Sequence, residues 1–121
     1  MNRFVLCFWL ACSAFSGAFG HEPEYANPVI DSLQSELNFA ADSAKVDLYN
    51  KLAYNYYYYL LDSADSYIKK SLDLATYLKY IRGLSEAQRL KGIVYKARNN
   101  EKEAIKWLYK GLHSAESINY H

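Results

Sequence analysis

From residue 30 onward the apolar positions fall three and four apart, the spacing that lines one face of an α-helix. Ile30, Leu33 and Leu37 share a face over about 30–39. Leu48, Leu52, Tyr56 and Leu60 keep fourfold spacing over about 43–60. Ala64, Ile68, Ser71, Leu72 and Ala75 form a stripe over about 63–78, and Leu84, Ala87, Leu90 and Val94 one over about 81–97. Ala104, Leu108, Gly111, Leu112 and Ala115 complete the set over about 101–117. Asp42 and Asp62 are the expected N-caps of the second and third helices, and Asn100 with Glu103 approximates a capping box before the fifth. Both prolines, Pro23 and Pro28, precede this region, so no helix interior carries one. Tyr54 and the run Tyr56 to Tyr59 favour a strand by residue type. Their flanks decide for helix, because Leu48, Leu52 and Leu60 hold helical spacing and no glycine or proline brackets the run. Tyr56 is then expected inside the helix pair, with Tyr54, Tyr57 and Tyr58 turned elsewhere.

The pattern occurs twice. Ala53-x-x-Tyr56 returns as Gly92-x-x-Tyr95, 39 positions later. Ala64, Ile68, Leu72, Ala75, Leu78 and Tyr80 return as Ala104, Leu108, Leu112, Ala115, Ile118 and Tyr120, each 40 positions later. An internal repeat of this length in helical sequence predicts an all-α solenoid of antiparallel helix pairs, here a leader helix plus about two repeats over 43–80 and 81–121. The stripe begins again at Leu112 and breaks off at His121. The expectation is a C-terminally incomplete array: the N-terminal piece of a longer protein, or a chain that covers its open end by self-association.

These residues resemble a tetratricopeptide repeat. That family places a small residue in helix A, an aromatic three positions later, and a small-large-small stripe along helix B. Leu52-Ala53-x-x-Tyr56 with Ala64, Ile68 and Ser71 fits the first copy, and Lys91-Gly92-x-x-Tyr95 with Ala104, Leu108 and Gly111 the second. The small positions let two helix backbones approach. The period exceeds the family's usual one, Tyr49 and Gln88 stand where a tryptophan is expected, and the closing proline is missing. Longer, proline-free repeats behind a leader helix resemble the N-terminal sensor region of bacterial envelope-anchored histidine kinases and related regulators. The resemblance implies a non-catalytic protein–protein interaction module belonging to a larger signal-transduction protein. It also implies peptide binding on the concave face of the A helices. By register that face holds Asn50, Tyr54, Tyr57 and Tyr58 in the first repeat and Glu86, Arg89, Ile93 and Lys96 in the second. Alternatively, Tyr57 and Tyr58 pack against the first helix and Arg89 and Lys96 are solvated.

The first twenty residues read as a signal peptide. Asn2-Arg3 is a positive start, Phe4 to Ala11 an apolar run, and Ala18-Phe19-Gly20 a small-residue exit before His21. The chain is therefore expected to be exported, periplasmic or secreted, with an extended leader over 21–29. Cys7 and Cys12 both lie in the leading segment, so the mature chain has no disulfide or thiol. Leu10-Ala11-Cys12 also faintly resembles a lipoprotein box, which keeps lipidation of Cys12 as the lesser alternative.

Charge is balanced but uneven. Residues 21–65 carry eight acids and two lysines, and residues 66–121 eleven bases and five acids. That balance argues against a nucleic-acid binder. It fits either a dipolar solenoid with solvated faces or head-to-tail docking. His21, His113 and His121 stand apart, and no zinc, phosphate-cradle or nucleophile-elbow motif is present. No metal, no cofactor and no catalytic residue is expected, and the partner is expected to be a protein or peptide.

Overall fold

The computed structural model describes residues 27–119. The predicted signal peptide, Cys12 and most of the predicted extended leader lie outside the described residues. Five helices follow one another: α1 (Pro28–Leu37), α2 (Asp42–Tyr57), α3 (Leu61–Leu78), α4 (Ile81–Ala97) and α5 (Glu101–Ser117). The described residues are all-helical, as the periodicity predicts. Short links fold each helix back onto the one before it, and α2 also packs directly on α4. The backbones of α3 and α5 do not approach each other.

Helix ends differ from the sequence expectation in instructive ways. Pro28 does not sit in an extended leader; it opens α1. Its fixed φ suits the first helical position, where the missing N–H has no partner to lose. Asn27 caps it, its Oδ1 accepting from the N–H of Val29 at 2.9 Å and of Ile30 at 3.4 Å. Asp42 is not the N-cap of α2. Ala41 holds the extended cap position, and Asp42 takes a left-handed φ of 56° with no capping hydrogen bond. Asp62 is not the cap of α3 either. Leu60 is, and the Asp62 carboxylate binds Arg98 at 2.7 Å instead. A carboxylate anywhere in a first turn is favoured by the helix dipole, so its residue type does not fix the cap position. Asn100 does cap α5, accepting from Glu103 N–H at 3.3 Å. The reciprocal half of the box is not used, because Asn100 N–H is taken by the Tyr95 carbonyl at 2.9 Å. That bond closes a Schellman turn with Asn99 in the left-handed region at φ 61°. Lys79 does the same after α3, at φ 56° with Tyr80 N–H on the Ala75 carbonyl at 2.9 Å. Helix α2 stops at Tyr57, three residues early, because Leu60 turns extended (φ −141°) to start α3.

The core has two centres joined by two rings. Ile30 and Leu33 of α1 meet Leu48 and Leu52 of α2. Ala53 of α2 meets Ala64 and Ile68 of α3 and Leu90 and Val94 of α4. Tyr56 and Tyr67 touch both centres and stack at 5.7 Å with an 11° interplanar angle. Tyr56 thus lies inside the helix pair as expected. Its hydroxyl accepts from Gln34 Nε2 of α1 at 3.1 Å, and burial pushes its pKa above the usual phenol value. The α4–α5 contact is built from small residues. A side chain at Gly92 would lie 2.7 Å from Leu108 Cγ, and one at Gly111 3.0 Å from the Ser85 carbonyl oxygen. Ser114 Oγ donates to Gln88 Oε1 across the same contact at 2.8 Å. Asp65 ties α3 to α4 by binding Lys91 and Arg98.

Candidate functional site

One polar side chain joins three helices. Asn50 of α2 is buried, 6% exposed. Its Nδ2 donates to the Gly83 carbonyl of α4 at 3.1 Å, and its Oδ1 accepts from Ser71 Oγ of α3 at 2.6 Å. Gly83 is the other half of this seam. A Cβ there would lie 2.5 Å from Val46 Cγ1 and 2.6 Å from the Tyr80 ring. Only a glycine lets α4 come this close to α2 at that level.

Directly above this seam a groove of about 670 Å³ opens between α2 and α4. From α2 it is lined by Asp47, Asn50, Lys51, Tyr54 and Asn55, and from α4 by Arg82, Gly83, Glu86 and Arg89. The lining carries three cations and two carboxylates. Both carboxylates hold a protein donor. Asp47 Oδ1 accepts from Tyr80 O–H at 2.9 Å, and Glu86 binds Arg89 through Nε and Nη2. Asn55 Nδ2 donates to the Lys51 carbonyl at 2.8 Å, which fixes the amide against its own helix.

Of the sequence-predicted surface residues, the structure brings Asn50, Tyr54, Glu86 and Arg89 into this groove. Asn50 forms its floor and holds the helices together. Tyr54 is a wall residue, 45% exposed. Tyr58, the C-cap of α2, does not line the groove but extends its wall. Its hydroxyl lies 3.0 Å from that of Tyr54, and the two rings meet edge to face at 5.5 Å. That hydrogen bond holds the Tyr58 phenol above its ordinary pKa. Tyr57 and Ile93 are placed differently, half-buried against the Ala53–Leu90–Val94 core. Lys96 is exposed in the last turn of α4, away from the lining. The physical reason is steric. Bulky Tyr57 and Ile93 fill the seam between α2 and α4 at its C-terminal half. At the N-terminal half the close Gly83–Asn50 contact forms only a floor, and the groove opens over it.

Sequence reasoning missed Asp47, Lys51, Asn55, Arg82 and Gly83. Part of the signal was present: Asp47 and Lys51 each lie three positions before Asn50 and Tyr54 respectively, and Arg82 four before Glu86. Extending each stripe one turn toward its N-terminus finds Asp47 and Arg82, whereas Asn55 and Gly83 line the groove through contacts that spacing does not carry.

Among the described residues no group of three or more His, Cys, Asp or Glu side chains is placed to hold a metal ion. No described helix is long and apolar enough to cross a membrane. The chain matches no family model, and no curated protein or solved structure matches it at a significant level.

Proposed function

We propose that the chain is a non-catalytic, tetratricopeptide-like interaction module that binds a protein or peptide segment in the α2–α4 groove. We place it outside the cytoplasm, as the sensor or scaffold part of a larger signal-transduction regulator. The observation that carries this reading is the convergence of Tyr54, Glu86 and Arg89 in one open groove between two helices that occupy equivalent places in the repeat. The direct packing of α2 on α4, beside the hairpin contacts, supports two stacked hairpins as the unit. A phenol wall, a guanidinium and an ammonium above a polar floor suit an extended segment carrying carboxylates. Bidentate guanidinium–carboxylate bonds are among the stronger polar contacts. A partner carboxylate would compete with Glu86 for Arg89.

A second reading is a free-standing exported scaffold of the same fold that self-associates. The exposed apolar residues Ile105, Tyr109 and Leu112 on α5 favour it.

Panning a random displayed-peptide library against the full chain tests the first reading. Titrating a selected peptide into labelled protein should move amide signals of residues 47–55 and 82–89. Arg89→Ala should weaken its binding about tenfold or more, the effect of losing one charge-assisted pair. Signal changes confined to α3 or α5, or affinity indifferent to Arg89→Ala, would contradict the groove assignment.

A further inference from the structure

The outer face of α5 carries a stripe that no described residue covers. Ile105 is 55% exposed, Tyr109 68% and Leu112 50%. The internal repeat says what such a face does. Forty positions earlier, Asp65 binds Lys91 and Arg98 of α4, Ile68 is fully buried, and Leu72 packs against the Leu90–Val94 core. Their equivalents Ile105 and Leu112 therefore stand on the face that in α3 receives another helix, while Leu108 already meets Gly92 of α4 and Tyr109 takes the place of the exposed Lys69.

The composition of the stripe selects the occupant. Lys102, Ile105, Tyr109, Leu112 and Glu116 follow at alternating steps of three and four, the spacing of a helix-pairing seam. The seam is basic at its N-terminal end, apolar in the middle and acidic at its C-terminal end. Two copies aligned in parallel would put Lys102 against Lys102 and Glu116 against Glu116. Two copies crossing antiparallel about Tyr109 put Lys102 against Glu116 at both ends and Ile105 beside Leu112. We propose that this face docks the α5 helix of a second copy, antiparallel, with Tyr109 at the two-fold axis. The proposal rests on the repeat reading above and gives its self-associating form a specific geometry. A two-fold interface of this kind uses the same patch on both chains and closes on itself, so it yields dimers rather than fibres. One helix per copy buries an area at or below the roughly 1,200 Å² typical of stable interfaces, so the dimer should dissociate on dilution.

Sedimentation equilibrium of the full chain over a wide concentration range tests this, with helicity checked by circular dichroism. All substituted positions are exposed, so the fold should persist. Wild type should show a reversible monomer–dimer equilibrium. Lys102→Glu and Glu116→Lys alone each place like charges together at both ends and should raise the dissociation constant about tenfold. The double substitution Lys102→Glu with Glu116→Lys restores both pairs and should return it to within about threefold of wild type. Tyr109→Glu should abolish the dimer. A dimer indifferent to all four variants overturns the α5 geometry while leaving self-association standing. A strict monomer at every concentration overturns both, and leaves the groove reading untouched.

Discussion

Asn50→Leu should destabilise the fold by about 2–3 kcal/mol, lowering the melting temperature by roughly 10–20 °C. The substitution keeps the bulk but removes both hydrogen bonds that join α2 to α3 and α4. A buried polar group left without its partner loses the full cost of its desolvation, which exceeds the net value of the bond itself. Ser71 is wholly buried, and its hydroxyl is the group left without its partner. It retains a fallback, the carbonyl one turn back in its own helix, and that limits the penalty. Adding Ser71→Ala to Asn50→Leu should therefore recover about 1 kcal/mol, since an apolar pair of matching shape has no group to satisfy. Thermal unfolding of the wild type, both single variants and the double variant checks this. Additive losses would show that Asn50 and Ser71 do not act as one bridge.

Gly83→Val should cost about 3 kcal/mol or more, although valine is the better helix former by a few tenths. The new Cβ alone would sit 2.5 Å from Val46 Cγ1, and Val46 is wholly buried with no exposed direction to move. Tyr80 blocks the other side at 2.6 Å and is itself held to Asp47. Relief therefore requires α4 to move away from α2, which also stretches the Asn50 bond to the Gly83 carbonyl. Val46→Ala should rescue part of the loss by vacating the space the valine needs. Denaturant unfolding reads both effects: Gly83→Val should lower the midpoint sharply, and Val46→Ala should be less harmful in the Gly83→Val background than alone. A Gly83→Val protein as stable as wild type would mean that α2 and α4 do not meet as described.

Much of this fold was legible because it depends on period and size. The spacing of Leu48, Leu52 and Tyr56, and of Leu84, Ala87, Leu90 and Val94, fixes which faces turn inward. The recurrence of Ala53 as Gly92 marks where backbones approach, and Gly92 does meet Leu108 and the Ala104 carbonyl. The caps were less legible. Asp42 and Asp62 suit a helix start electrostatically at several positions, and only the backbone decides among them. The groove was legible in its residues but shifted in its extent. Asn50 reads as a surface amide on a tyrosine-rich helix. Its burial depends on a serine from α3 that reads as a small packing residue and on a glycine of α4 that lies outside the duplicated stripe. Neither contact is visible in spacing, because both cross between helices. Tyr57 and Ile93 share the register of the groove, yet their bulk closes it at their own level. Which of several equivalent turns stays open depends on side-chain volumes from two helices at once.

The most direct test of the account is a photocrosslinker placed at position 54, on the groove wall, and separately at position 77, where Tyr77 is 83% exposed on α3. Each protein is irradiated in the cells that express it and, in parallel, after purification with a library-selected peptide. The account predicts a discrete adduct from position 54 in both settings, competed away by excess unlabelled peptide, and little from position 77. Equal yields from both positions, or an adduct from position 77 alone, would contradict recognition in the α2–α4 groove.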